Sequence, residues 1–247
     1  MANIKICIIN SSTVLTDDQV KAAVPALQTQ VHRDFAPVWG IDADLSFVPN
    51  GKSPTPDMWW IAILDDSDQA GALGYHDLTQ DGLPLGKVFA SSDMKYGYNW
   101  TITASHELLE MLADPDINLT VFVKKDETTG TLYAYEICDA CEADKYGYKI
   151  DGILVSDFVY PAWFEPFRQK DNTQFDYGKN IDGPFKLLPG GYIGAFDVTA
   201  GTGWHQITAD RKPSRYDLRS RLGSRRESRY PRNQWLKSQP VILKHAH

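Results

Sequence analysis

The sequence predicts an α+β protein with strands and helices in its first half and a hairpin-rich part in its second. Strand-like runs and helical spacing alternate in the first half, whereas paired short strands with turn signals fill the second half. The 247 residues are 43% hydrophobic, which suffices for one large domain or two small ones with a sizeable core. No apolar run approaches the roughly 18 residues of a membrane span, so we expect no such span.

The first half begins with a strand and a long helix. The isoleucine-rich run 4–9 predicts a buried strand. Thr16, with Gln19 three residues later, predicts a capping box at the start of an amphipathic helix of about five turns. Pro25 lies inside this helix, where we expect a bend or a late start.

Four further strands are predicted before the next helix, at 43–48, 59–64, 71–76 and 86–90. The run 59–64 is continuously apolar, which is typical of a central strand. The run 71–76 is rich in glycine, which favours an edge strand beside a ligand.

The functional prediction depends on one helical stretch, residues 103–115. A helix places His106 and Glu110 one turn apart on one face, about 6 Å between their Cβ atoms. Glu107 lies beside them, rotated by about 100°. This is the His-Glu-x-x-His layout with glutamate at the second histidine, and imidazole and carboxylate can both bind zinc. His106 and Glu110 are therefore predicted as metal ligands and Glu107 as the general base; a solvated polar stripe is the alternative.

A zinc hydrolase needs a third protein ligand and an open position for water. Asp116 follows His106 by ten residues, the offset of the third ligand in metzincins, but Pro115 intrudes. Glu136 and Asp139 lie farther along the chain, and we favour this pair as the source of the third ligand.

The same acidic residues allow a second interpretation. Asp114, together with Glu142 and the Glu136/Asp139 pair, could form a calcium site, because hard oxygen ligands suit calcium. His76 ends the predicted edge strand and is expected either to hydrogen-bond the oxyanion as a catalytic residue or to bind the metal. An ordinary surface histidine is the competing interpretation of His76.

Four residues show weaker patterns. Tyr75 and Tyr160 are candidate donors to a transition state. Cys138 and Cys141 form one C-x-x-C pair, which is compatible with a redox pair or a disulfide.

The second half predicts two hairpins, one from the runs 119–123 and 131–137 and one around Asp151-Gly152. We therefore divide the chain into an upper subdomain at 1–116, which carries the metal-binding helix, a lower subdomain at 117–210, and a tail at 211–247. The tail has eleven Lys/Arg and two Asp/Glu, although the whole chain is acidic. It is expected to be flexible and to bind an acidic partner or nucleic acid, or to fold back on the acidic body.

Three motifs together resemble a largely uncharacterised bacterial zincin-like family with a His-Glu-x-x-Glu motif. They are Gly74-Tyr75-His76, the run 105–115 and Glu136-x-x-Asp139, and the resemblance covers roughly residues 70–165. This family is distantly similar to the exordium/phosphate-induced family. The order of predicted elements also resembles the upper subdomain of zincin metallopeptidases. The resemblance implies a zincin-like metallopeptidase fold, with a twisted mixed sheet over one helix, and a site made of His76, His106, Glu107, Glu110, Asp114, Glu136 and Asp139.

From these patterns we expect a zinc-dependent hydrolase, a metallopeptidase acting on a peptide or protein substrate, with calcium as the alternative metal. The rival predictions are a non-catalytic binding protein stabilised by its metal and a toxin-like or particle-associated protein with a basic docking tail. The strand-like start favours a cytoplasmic protein, or one exported without a recognisable signal peptide.

Overall fold

The computed structural model describes residues 4–68, 72–79, 81–200 and 203–209. These residues form an α+β fold with a five-stranded mixed sheet, a four-stranded antiparallel sheet and a separate two-stranded hairpin. The predicted class is confirmed. The basic tail at 211–247 lies outside the described residues.

The five-stranded sheet is built from the first half of the chain. Its strands are β1 (Ile4–Asn10), β2 (Ala43–Val48), β3 (Trp59–Leu64), β4 (Gly74–Leu78) and β5 (Pro84–Phe89). Their order is β2-β1-β3-β5-β4, with β4 antiparallel to β5 and the other pairs parallel. The apolar strand β3 is central and the glycine-containing strand β4 lies at the edge, as predicted.

A nearly continuous helical segment connects β1 to β2. Helix α1 (Asp17–Thr29) starts with the predicted capping box of Thr16 and Gln19. The chain passes Pro25, widens into a π-helical segment (Gln30–Phe35) and ends as α2 (Ala36–Trp39). The predicted long helix is therefore present, with a change of helical type after the proline.

Two helices follow the sheet, α3 (Ala90–Tyr96) and α4 (Trp100–Ala113). Every residue of α4 from Ile102 to Ala113 is buried. Helix α4 packs against β4 and β5 on one side and against the hairpin strand β9 (Ile153–Val155) on the other. Its polar side chains are thus removed from water, and each needs a partner inside the protein.

The second half forms the antiparallel sheet and the hairpin. The sheet contains β6 (Thr120–Lys124), β7 (Gly130–Ala134), β10 (Tyr192–Asp197) and β11 (Trp204–Thr208), in the order β11-β10-β7-β6. Strand β8 (Tyr148–Ile150) pairs with β9 through Asp151 and Gly152, which both have positive φ angles, as a type I′ turn requires. Both predicted hairpins are confirmed.

The two predicted subdomains share one hydrophobic core, which contains Ile61 and Leu108 from the first part and Phe158 and Trp163 from the second. Hydrogen bonds join the two parts as well. Gln30 Nε2, for example, donates to the buried Ser156 carbonyl at 2.8 Å. Helix α4 therefore lies between the five-stranded sheet and the second half of the chain. Among the described residues, no helix combines the length and apolar character needed to cross a membrane.

Candidate metal centre

Helix α4 places His106 and Glu110 on one face, as the sequence predicts. His106 Nε2 lies 3.2 Å from Glu110 Oε2 and 3.3 Å from Asp139 Oδ1. The other oxygen of Glu110, Oε1, accepts a hydrogen bond from the Cys138 amide at 3.0 Å. The segment after β7 therefore both fixes the orientation of Glu110 and delivers Asp139 to the imidazole.

Asp139 opens a short 3₁₀ turn (Asp139–Cys141), and Glu142 follows directly after it. The ligand atoms of His106, Asp139 and Glu142 all lie within 4.8 Å of one another, so this group could hold a metal ion. A hydrogen bond joins the side chain of Tyr192, at the start of β10, to Asp139. Tyr192 is a participant that the sequence patterns did not predict, because only the pairing of β10 with β7 brings it to the site.

His76 is buried on β4, with 1% of its surface exposed, so the surface-histidine interpretation is wrong. Its Nδ1 lies 3.6 Å from Glu107 Oε2 and 3.8 Å from Glu110 Oε2, and its Nε2 lies 3.7 Å from Glu136 Oε2. The ligand atoms of His76, Glu110 and Glu136 form a second group within 4.8 Å of one another. Glu110 thus stands between the two histidines.

Two glycines of the sheet edge make room for Glu107. A Cβ atom at Gly74 would lie 2.8 Å from Glu107 Oε1, and one at Gly86 would lie 3.3 Å from Glu107 Cβ. Glycine lacks this atom, so α4 can approach β4 and β5 closely at this point. The glycine-rich character of the predicted edge strand was therefore a sequence signal for the site.

The electrostatics of the centre reflect crowding of acids around the histidines. Burial alone would lower the pKa of His106, but the charge of Glu110 and the hydrogen bonds to Asp139 and Glu110 hold this pKa well above its usual value. Burial and the charge of Glu110 raise the pKa of Asp139 to about 6. Burial and the charge of Asp139 raise the pKa of Glu142 to about 8. Burial is the largest cause of both shifts, and a neighbouring carboxylate adds to each.

The spacing and chemistry of these side chains fit a divalent ion. Two ligands about 2.0–2.1 Å from a tetrahedral zinc ion stand about 3.4 Å apart, and the nitrogen–oxygen separations between the histidines and the carboxylates run from 3.2 to 3.8 Å. Each group contains one imidazole and two carboxylates. An imidazole suits zinc and other transition metals better than it suits calcium.

Asp114 and Asp116 have other places in the structure. The carboxylate of Asp114 accepts hydrogen bonds from the amides of Asn118 and Leu119, at 3.0 and 3.1 Å, and Asp114 belongs to neither metal-compatible group of the described residues. It fixes the chain that leaves α4, and its role as a metal ligand stays a prediction. Asp116 is exposed, which excludes the metzincin-like third ligand.

The tyrosine candidates also lie elsewhere. The hydroxyl of Tyr75 donates to Asp68 at 2.7 Å and accepts from Lys87 at 2.7 Å, on a more exposed part of β4 and β5. Tyr160 packs against Phe158 in the core. Within the described part of the chain, the contacts of Tyr75 and Tyr160 do not include the metal-compatible side chains.

Cys138 and Cys141 are both free and buried, so the predicted disulfide is absent. Burial raises the pKa of both thiols well above the usual value, which disfavours the reactive thiolate. The interpretation of this pair as a redox pair therefore loses its support. Cys138 contributes to the site through its backbone amide, which donates a hydrogen bond to Glu110.

Fold and site together define an α+β protein with a buried centre of histidines and carboxylates that could hold a divalent metal ion. Comparisons of the chain with protein-family models, with curated proteins and with solved structures find no match.

Proposed function

We propose that this protein is a zinc-dependent hydrolase, and specifically a peptidase of zincin-like fold. The observation that carries the proposal is the approach of Glu110 and Asp139 to His106 Nε2, at 3.2 and 3.3 Å. Glu107 follows His106 directly on the same buried helix, and its charge contributes to the raised pKa of His106. Three ligands with an adjacent carboxylate are what a hydrolytic zinc site requires.

The residues of the chain have distinct roles in this proposal. His106, Glu110 and Asp139 would hold zinc, which when bound supplies Lewis-acid polarisation of a carbonyl and makes water easier to deprotonate. Glu107 accepts the proton of the attacking water and returns it to the leaving group.

Two outer contacts keep these ligands in position. The Cys138 amide holds Glu110 at 3.0 Å, and Tyr192 holds Asp139 through a hydrogen bond. Such partners of metal ligands fix the orientation of the ligands and tune their basicity. Their presence supports a built metal site over a chance cluster of acids.

The sheet supports the choice of a peptide as substrate. Strand β4 is the antiparallel edge of its sheet and carries His76 beside the metal-compatible groups. An extended peptide can add to such an edge strand through main-chain hydrogen bonds. A sheet with one antiparallel edge strand above the metal-bearing helix is also the arrangement on which the proposed zincin-like fold rests.

Glu107→Gln tests the proposal. The zinc-loaded full chain and the variant are compared on a library of quenched fluorescent peptides, with zinc content measured by mass spectrometry. We expect turnover to fall by about 10²-fold or more, because the amide cannot take up the proton, while zinc content is unchanged. Asp116→Asn, at an exposed position, is the matched control and should retain full turnover.

Two outcomes contradict the proposal: hydrolysis by Glu107→Gln at the wild-type rate, or zinc-loaded wild-type protein that cleaves none of the peptides. The second outcome favours the alternative function, a non-catalytic protein whose metal is structural. The burial of the centre is the observation behind that alternative, since His106 is only 9% exposed. Docking through the basic tail stays a separate prediction, which truncation after residue 210 and a binding assay with an acidic partner would test.

A further inference from the structure

The centre contains more ligand groups than one zinc ion can use. Two imidazoles and five carboxylates converge there, from His76, His106, Glu107, Glu110, Glu136, Asp139 and Glu142. Zinc in proteins takes four ligands, and a catalytic zinc takes three from the protein. In the ligand form, with all five carboxylates ionised and both imidazoles neutral, the formal charge is −5, and one divalent ion leaves most of it in a buried space.

The surplus ligands are organised around the second histidine. Glu136 approaches His76 Nε2 at 3.7 Å, and Glu110 approaches His76 Nδ1 at 3.8 Å, while Asp139 approaches His106. Carboxylates therefore flank both nitrogens of His76. The ligand atoms of His76, Glu110 and Glu136 lie within 4.8 Å of one another, so both acids can share one ion with this histidine.

Glu110 connects the two groups. Its Oε1 is engaged by the Cys138 amide, and its Oε2 faces both histidines, at 3.2 Å from His106 Nε2 and 3.8 Å from His76 Nδ1. One carboxylate oxygen between two imidazoles of different chain segments is suited to bridge two ions. Paired ions in hydrolases stand about 3.5–4 Å apart.

We propose that the centre is binuclear, with a second divalent ion held by His76, Glu110 and Glu136 beside the ion at His106, Glu110 and Asp139. The inference rests on the proposed function for the first ion. It changes the role of His76, which becomes a metal ligand instead of a donor to the oxyanion. Two divalent ions leave a formal charge of about −1 in place of −5.

Metal stoichiometry tests the second ion. The full chain is stripped with a chelator, dialysed at a low free zinc concentration set by a zinc buffer, and its zinc is counted by mass spectrometry. We expect two equivalents in the wild type and about one in His76→Ala and Glu136→Gln. His32→Ala is the matched control, because His32 is an exposed histidine paired with Asp42, and it should keep two equivalents.

A second measurement uses the wild type alone, because a variant that fails to fold would also lose zinc. X-ray absorption of the zinc-loaded wild type should show a zinc–zinc vector at about 3.5–4 Å. One equivalent in the wild type without this vector overturns the inference. Two equivalents in His76→Ala overturn it as well.

Failure of this inference can be told apart from failure of the proposed function. If the wild type binds one equivalent of zinc and its hydrolysis depends on Glu107, the second ion is rejected and the hydrolase proposal stands. If it binds two equivalents of zinc and hydrolyses no peptide, the binuclear centre stands and the hydrolase proposal is rejected.

Discussion

At the scale of single residues, Gly74 decides how closely α4 can approach the sheet edge. Its φ angle is not positive, so the need for glycine here is one of space and not of backbone conformation. A Cβ atom would lie 2.6 Å from Thr103 Cγ2 and 2.8 Å from Glu107 Oε1. Both atoms belong to the buried helix, whose neighbours leave it little freedom to move.

We therefore expect Gly74→Ala to destabilise the protein by about 1–3 kcal/mol, the usual cost of overpacking a well-packed region. The variant should also lower turnover, because Glu107 is displaced. Denaturant unfolding and the peptide assay measure the two effects. Gly183→Ala is the control, since its new Cβ would meet only the flexible end of Lys186 at 3.2 Å. Equal stability of the two variants would contradict the steric argument.

Residue-level contacts also explain why the ligands could be predicted only in part. The i, i+4 spacing of His106 and Glu110 is a property of the helix and was visible in the sequence. Asp114 has the same chemistry as Asp139, yet its carboxylate is used by two amides at the end of α4. Which acid meets the metal depends on where the backbone turns, and residue type alone does not carry this information.

At the scale of elements, one buried hydrogen bond fixes α4 against the second half of the chain. The Ser156 amide donates to Ser105 Oγ at 2.6 Å, and the Ser105 hydroxyl donates to the Ile102 carbonyl at 3.1 Å. Ser105 directly precedes His106, so this bond also fixes the position of His106 along α4 relative to β9.

We expect Ser105→Ala to lower the free energy of unfolding by about 1–3 kcal/mol, because the Ser156 amide stays buried without its acceptor. Chemical denaturation of the full chain measures the change. Ser53→Ala, at an exposed position, should have an effect within about 0.5 kcal/mol. A Ser105→Ala variant as stable as the wild type would show that water or another group replaces the hydroxyl.

The elements themselves were predictable to different degrees. Strands β2 and β3 begin and end at the predicted residues. Strand β3 is a continuously apolar run, as a central parallel strand requires, whereas the edge strand β2 alternates apolar and polar residues. Strand β4 begins at Gly74 and not at residue 71, since the glycines there weaken any local preference. The sequence shows no clear strand pattern for β10 and β11, because β10 pairs with β7, which is distant in the sequence, as well as with β11. Helix α3 likewise showed no clear helical pattern.

At the scale of the whole molecule, a pair of buried acids joins two distant segments. The Asp157 carboxylate accepts the amides of Phe158 and Gly178, at 2.8 and 3.0 Å. Asp176 accepts the amides of Asn180 and Ile181, both at 2.9 Å. Burial and the neighbouring carboxylate of Asp176 raise the pKa of Asp157 to about 8. The folded protein therefore keeps a proton on Asp157 at neutral pH that the unfolded chain releases.

This difference makes stability depend on pH in a defined direction. Between about pH 4, where the unfolded carboxyl ionises, and about pH 8, the folded state binds more protons, so stability falls as pH rises. The slope from one proton is at most about 1.4 kcal/mol per pH unit. Asp157→Asn removes the titrating carboxyl at nearly constant volume, and denaturation curves from pH 5 to 8 should show a shallower slope for it. Identical slopes would mean that Asp157 is ionised in the folded protein.

The candidate metal centre draws its side chains from three stretches that are far apart along the chain, at His76, at 106–110 and at 136–142. An ion bound there is a removable cross-link, and a chelator should act on this protein as a denaturant. Occupancy at a thousand times the dissociation constant stabilises by about 4 kcal/mol, so chelation should lower the melting temperature by several degrees, and added zinc should restore it. Unchanged melting after complete removal of metal would show that the three stretches hold together without the ion.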